Sequence, residues 1–150
     1  MNVVYRAAVV DDAGAIAPLA VEGWRLAYSD IVPESYLAAL SVERKAQRWR
    51  EKMAQPSFHA MLALDGNDLV GFISCGPGRA DDERGMGEVY ALYVHPSHQR
   101  EGIGSALMRL AEEALRNQGF QIWCVWVFTL NGKARRFYEQ LCLLRILTGR

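Results

Sequence analysis

The stretch VHPSHQREGIGS, residues 94–105, joins two elements whose junction indicates the architecture of the chain. It leaves an apolar strand predicted over 88–95 and enters an amphipathic helix predicted over 102–117. Two glycines, Gly102 and Gly104, stand where that helix begins. The first N–H groups of a helix have no internal acceptor, and glycine lets a ligand approach the backbone closely. The stretch therefore predicts an anion-binding site between a strand and a helix.

Two familiar phosphate-binding motifs are excluded by the residues that follow. The dinucleotide fingerprint requires a third glycine where Leu107 stands, and the nucleotide-triphosphatase loop requires a Gly-Lys-Ser/Thr sequence. The structural alternative is that Gly102 and Gly104 only allow the helix to pack closely on the sheet. The preceding strand and Gln99 favour the anion site.

Hydrophobic periodicity divides the rest of the chain into further elements. Three helices are predicted early in the chain: one over 12–27, a short one with Pro33 in its first turn, and one that begins at Ser41. The predicted strands cover 3–10, 58–64, 69–75, 88–95 and 120–128, with a last helix over 131–141. The strand at 88–95 is apolar on both faces, as a central strand covered on each side should be. This mixed order predicts an α/β or α+β domain.

Composition and charge limit the class of protein. The chain has 150 residues, with 17 basic and 17 acidic side chains and a formal net charge of zero. That balance excludes a protein that mainly coats nucleic acid or an anionic membrane, and no run reaches the roughly 18 apolar residues of a membrane span. The N-terminus lacks a secretion signal, and three cysteines without a CxxC pair argue against a zinc site or disulfide framework. We predict one cytoplasmic domain, residues 1–150, without metal, nucleic-acid or membrane partners.

Three separated motifs resemble the GCN5-related N-acetyltransferase (GNAT) family. Residues 99–104, QREGIG, match its Gln/Arg-x-x-Gly-x-Gly/Ala signature. Residues 87–94 look like its central strand, and residues 131–139 like its last motif. The resemblance implies an acyl-CoA N-acyltransferase fold, in which helices flank a central, mixed and mostly antiparallel sheet. It also implies acetyl-CoA as the cosubstrate.

The resemblance assigns a binding role to three parts of the chain. Backbone groups of the central strand would pair with the pantetheine arm of acetyl-CoA, the loop and helix start would hold the pyrophosphate, and the last helix would touch the pantetheine. The residues so assigned are Leu92, Tyr93, Val94, Gln99, Arg100, Glu101, Gly102, Ile103, Gly104, Ser105 and Asn131.

Two residues are assigned catalytic roles by the same resemblance. Tyr138 would donate a proton to the departing thiolate, because a tyrosine hydroxyl has a reference pKa near 10. Glu88 stands where histone-type members carry a catalytic glutamate and would accept the amine proton, directly or through water. The alternatives are that Tyr138 is a core aromatic residue and that Glu88 is a strand-end residue facing solvent.

The C-terminal sequence departs from the family pattern. Residues 141–144, LCLL, replace a Gly-Phe pair, and only a short strand is predicted, over 143–147. An apolar sheet edge invites pairing with another chain, so we predict a homodimer through this segment; the alternative is a monomer in which it folds back onto its own sheet. The predicted function is acetyl transfer to a small-molecule or protein amine. A CoA-binding module with weak or no catalysis is the alternative.

Overall fold

Six strands form one sheet in the order β1-β2-β3-β4-β5-β6 in a computed structural model, which describes residues 2–28, 33–35, 39, 41–79, 85–99, 101–127 and 145–148. The strands are β1 (Val3–Ala7), β2 (His59–Asp65), β3 (Asp68–Pro77), β4 (Gly87–Val94), β5 (Trp123–Val127) and β6 (Arg145–Thr148). The helices are α1 (Ala13–Tyr28), α2 (Val42–Met53) and α3 (Ile103–Asn117), with short 3-10 helices at Val10–Asp12 and Pro96–His98.

The sheet is mixed and mostly antiparallel, which confirms the predicted fold class. Strands β1 to β4 pair antiparallel with their neighbours, whereas β5 runs parallel to both β4 and β6. Helix α3 packs on one face through residues such as Leu107 and Leu115. Helices α1 and α2 cover the other face through Ile16 and Trp49. Both faces of the central strand are thus covered, as its apolar pattern predicts.

The start of each of the first two helices is stabilised by a side chain that the sequence singles out. Helix α1 follows a 3-10 turn in which the Asp12 carboxylate accepts the Val9 N–H at 2.7 Å. The guanidinium of Arg6 also donates to that carboxylate and lowers the pKa of Asp12. Helix α2 begins after Ser41, whose hydroxyl accepts the Arg44 N–H at 3.3 Å. Local capping chemistry therefore sets both boundaries.

Among strands β1 to β5, three boundaries differ from the sequence prediction by two residues or more. Strand β1 ends at Ala7 instead of residue 10, because Val10 begins a 3-10 helix. Strand β3 continues to Pro77 instead of ending at Cys75, and the Pro77 carbonyl accepts the Tyr90 hydroxyl at 2.5 Å. Strand β5 begins at Trp123 instead of residue 120, because the Phe120 N–H still closes helix α3 by donating to Leu115 at 3.0 Å. The predicted helix over 131–141 lies outside the described residues.

The pairing of β4 with β5 is short. It covers only Gly87, Glu88 and Val89, although β4 continues to Val94. Strand β5 instead pairs with β6 along its length. Beyond Val89 the described strands β4 and β5 thus share no backbone pairing. We call this side of β4, which is unpaired among the described residues, the open edge. A β-bulge in which Tyr90 is the extra residue stands at the point where the pairing ends.

Candidate active site

The open edge of β4 exposes backbone groups in an alternating pattern. The His95 N–H donates to Val70 on the β3 side at 2.7 Å, and the Tyr93 carbonyl also lies on that side, near Gly71. Successive residues of a strand direct their N–H and C=O groups to opposite sides. The backbone of Leu92 and Val94 therefore faces the open edge. Leu92, Tyr93 and Val94 were predicted to pair with a ligand. Leu92 and Val94 direct their backbone N–H and C=O groups to the open edge, whereas those of Tyr93 face β3.

The loop after β4 leads directly into the start of α3. Gln99 donates its side-chain amide to the Val94 carbonyl at 3.2 Å, which ties the loop to the end of the open edge. Gly102 adopts a φ of 85°, a left-handed conformation that glycine accommodates without strain. The first helical hydrogen bond is made by the Ala106 N–H at 3.0 Å. The helical register therefore leaves the N–H groups of Ile103, Gly104 and Ser105 for a ligand.

The side chains around this helix start have different roles. Ile103 is buried in the core beneath α3 and fixes the position of the helix end. Gly104 and Ser105 are half-buried, and Gly102 and Glu101 are exposed. No side chain caps α3 in the described part of the chain. Among the described residues, the start of α3 thus presents backbone N–H groups without a side-chain cap, an arrangement that can bind an anion.

A chain of hydrogen bonds fixes the loop from its other side. The Ser97 hydroxyl lies 2.8 Å from His95 Nδ1 and 2.7 Å from His98 Nδ1. His98 Nε2 lies 3.1 Å from the carboxylate of Asp65, the last residue of β2. These bonds hold the loop against the β2–β3 hairpin, a contact that the sequence pattern does not indicate.

Glu88 is buried and forms an ion pair, and it lies in the short segment of β4 that is hydrogen-bonded to β5. Its side chain is 0% exposed, whereas that of its partner Arg79 is 48% exposed. The Arg79 backbone N–H and Nε each donate to the Glu88 carboxylate at 3.0 Å, and its Nη2 makes a further contact. The solvent-facing alternative for Glu88 is therefore wrong. The carboxylate holds the start of the loop that joins β3 to β4.

Aromatic rings surround this ion pair. The Tyr90 ring stacks on Phe58 with centroids 5.7 Å apart, and the Arg79 guanidinium lies 4.6 Å from the Tyr90 centroid. Trp49 of α2 meets Phe58 edge-on at 5.8 Å. The stack connects α2 to the point where β4 separates from β5.

The Tyr93 side chain lies on the α1 face of the sheet, beside the open edge. Its ring occupies the space that a Cβ atom at Gly23 of α1 would need. The Tyr93 hydroxyl is buried and has no hydrogen-bond partner among the described residues, and burial together with the nearby Glu22 raises its pKa. Such a group is suited to contact a bound molecule. From the sequence, only the backbone of Tyr93 was assigned a role. Gly23, within the apolar face of α1, is the sequence feature that indicates space for an aromatic ring such as that of Tyr93.

Three proposed site residues, Arg100, Asn131 and Tyr138, lie outside the described residues. Among the described ones, no group of three or more metal-binding side chains is present, and no helix is long and apolar enough to cross a membrane. The described thiols are core groups: Cys75 and Cys124 are fully buried, and burial raises the pKa of Cys75 to about 12. A Cys75 thiolate nucleophile is therefore disfavoured.

An open strand edge beside a helix start with free N–H groups defines an α/β protein that can hold an extended, anionic ligand. The model of the acetyltransferase (GNAT) family matches residues 22–142. The uncharacterised N-acetyltransferase YuaI of Bacillus subtilis (strain 168) is 34% identical over 129 residues, 86% of this chain and 73% of that protein. This chain belongs to the GNAT acetyltransferase family, and that membership supports acyltransferase activity.

Solved structures show the same fold. PaiA N-acetyltransferase from Thermoplasma acidophilum, in complex with coenzyme A, superposes with a TM-score of 0.78 at 21% identity, covering 94% of this chain and 89% of that chain. A GCN5-related N-acetyltransferase from Ralstonia eutropha JMP134 gives a TM-score of 0.75 at 20% identity, covering 93% of this chain and 91% of that one.

Proposed function

We propose that this protein transfers an acetyl group from acetyl-CoA to a primary amine within a ternary complex. The observation that carries the proposal is the open edge of β4 running into the free helix start at Gly102. A pantetheine arm has amide groups that can pair with Leu92 and Val94 as an added strand. The pyrophosphate fits the N–H groups of Ile103 to Ser105. The CoA complex of the structurally similar Thermoplasma protein supports this assignment.

Acetyl transfer requires few protein groups beyond those that bind acetyl-CoA. The amine nitrogen forms a bond to the thioester carbon, the carbon–sulfur bond breaks, and the amine loses a proton while the thiolate gains one. The Leu92 N–H faces the open edge and is placed to polarise the thioester carbonyl. We assign the thiolate's proton to the Tyr138 hydroxyl and the amine's proton to Glu88. Because Glu88 is fully buried, water would carry that proton. We place the reaction in the cytoplasm, because three cysteines without a CxxC pair fit a reducing compartment.

A thiol-release assay with acetyl-CoA tests the function. The purified full chain is mixed with acetyl-CoA and a panel of primary amines, and free CoA thiol is measured over time with CoA affinity measured separately by calorimetry. Amine-dependent thiol release supports the proposed enzyme. CoA binding without turnover of any amine would favour the binding module, and absence of CoA binding would contradict both.

Glu88→Gln should lower kcat by about tenfold. The variant keeps a carbonyl oxygen for Arg79 but cannot accept a proton. The expected loss is smaller than the hundredfold or more typical of a base in direct contact, because water relays the proton. Arg79→Gln is the matched variant: it retains the base and should change KM more than kcat. Equal losses of kcat in the two variants, with similar melting temperatures, would show that Glu88 only anchors Arg79.

We also propose a homodimer that involves the C-terminal segment. Strand β6 lies on β5 of its own chain, as the monomer alternative supposed, yet it is one of the two outer strands of the described sheet, the other being β1. An outer strand can pair with a second copy. Light scattering at micromolar concentration should give a dimer for the full chain and a monomer for a chain ending at Leu141. A monomeric full chain would refute the prediction, and a dimer that survives truncation would place the interface elsewhere.

A further inference from the structure

One flank of helix α2 carries three cationic side chains. Lys45, Arg48 and Lys52 follow at intervals of three and four residues, so they lie along one side of the helix beside its buried stripe. None of the three makes an ion pair with a carboxylate in the described residues. The opposite flank differs, because Arg50 donates to Gln47 at 3.0 Å and Gln47 donates to Glu51 at 3.2 Å.

These three cations lie close to one another and to Arg79; we call the four residues the basic cluster. Lys45 Nζ lies 5.9 Å from the Trp24 ring centroid on α1. Lys52 lies in the last turn of α2. After this helix, the Phe58 ring stacks on Tyr90, and the Arg79 guanidinium lies over the Tyr90 ring. Burial, and then repulsion from the other three cations, lowers the pKa of Lys52. Arg79 is neutralised by its ion pair with Glu88. The other three cations have no carboxylate partner among the described residues, so their charge would attract an anionic ligand.

The basic cluster lies on the face of the sheet from which an amine would approach. Arg79 is bonded to Glu88, at the end of the β4–β5 pairing where the open edge begins. Helix α3, whose start is assigned to the pyrophosphate, packs on the opposite face. The amine acceptor is therefore expected to approach from the face of the sheet that α1 and α2 cover. Glu22, a carboxylate of α1, is beside Tyr93.

We propose that the basic cluster binds an anionic group, a carboxylate or phosphate, carried by the amine acceptor. The inference rests on the proposed acetyl transfer and adds the class of its substrate. Lys52 and Arg48 would contact the anion. Arg79, held in place by Glu88, would form the end of the anion site that lies nearest the reacting amine. Placing the anion here directs the amine at the other end of the acceptor toward the open edge.

Matched acceptors test the proposal. One pair is 6-aminohexanoate and 6-aminohexanamide, and the other is 5-aminopentyl phosphate and 5-aminopentanol; each pair differs in charge far from the amine. Affinity is measured by calorimetry on the CoA-saturated protein, and kcat/KM by thiol release. We expect at least one anionic acceptor to be preferred over its neutral partner by about tenfold, the effect of one well-placed charge pair. The preference should shrink as ionic strength rises.

Variants assign the preference to the basic cluster. The double variant Lys52→Met/Arg48→Met should reduce the ratio of anionic to neutral kcat/KM, or of the two affinities, by about tenfold. Arg50→Gln, on the opposite flank, removes the same charge type and should leave the ratio unchanged. Equal affinity for both members of each pair, or binding of neither, would overturn the proposal whether or not turnover occurs. Anion-selective binding without turnover would support the site and contradict the proposed acetyl transfer.

Discussion

Gly104→Val should raise the dissociation constant of CoA by at least about a hundredfold. Gly104 is the second residue of α3, where the unpaired N–H groups are assigned to the pyrophosphate. An isopropyl group there would keep an anion away from the backbone. Two charge-assisted hydrogen bonds contribute roughly 1.5–3 kcal/mol each, so their loss accounts for about a hundredfold or more. Calorimetric titration with CoA measures the effect.

Gly14→Val is the matched control for this change. Gly14 is also the second residue of its helix, α1, and its surroundings leave space for a side chain. It should bind CoA with the affinity of the parent protein, and both variants should keep a cooperative melting transition. Unchanged CoA affinity in a folded Gly104→Val protein would remove the pyrophosphate from this helix start.

Tyr138→Phe should lower kcat by about a hundredfold while the affinity for acetyl-CoA stays the same. The change keeps an aromatic ring and removes only the hydroxyl that we assign as proton donor to the thiolate. General acids contribute about a hundredfold to ten-thousandfold, so a loss below about tenfold would be too small for this role. Pre-steady-state thiol release, with calorimetry for affinity, separates the chemical step from binding.

Tyr5→Phe provides the comparison for Tyr138→Phe. Tyr5 lies on β1, three strands away from β4, so removing its hydroxyl should leave kcat unchanged. Equal turnover in Tyr138→Phe and the parent protein would reduce Tyr138 to a packing residue and direct the search for the acid to other hydroxyl groups. Tyr93 would be the next candidate, because its hydroxyl lies beside the open edge and has no partner in the part of the chain that the structure describes.

The fold was predictable where local chemistry determines it. The two-faced apolar pattern of residues 88–95 corresponds to β4, and the amphipathic stripe of 102–117 corresponds to α3. Each predicted boundary agrees with the structure to within one residue. The Ser41 cap correctly marks the start of α2. The extent of β3 was not predictable, because Pro77 joins the strand through a hydrogen bond from Tyr90, thirteen residues away.

The candidate site was predictable only in its backbone part. Glycines at a helix start have a local signature, and Gly102 and Gly104 do lie at the start of α3, as their spacing predicts. The contacts of Glu88 with Arg79 and of Asp65 with His98 depend on how distant strands meet, and single-sequence patterns contain no such information. The basic cluster was missed for the same reason: Lys45, Arg48 and Lys52 look like a solvated helix flank until Arg79 is placed beside them.

The short pairing of β4 with β5 has a consequence for solvent exchange at the backbone. The amide hydrogens of Leu92 and Val94 face the open edge, whereas the His95 amide is bonded to Val70. In deuterated water the two open-edge amides should therefore exchange much faster than their neighbours, although all of them lie in an interior strand. A ligand that pairs as an added strand would slow exchange at those two positions. Deuterium uptake along β4 would then record occupancy of the open edge residue by residue, even before any acceptor is known.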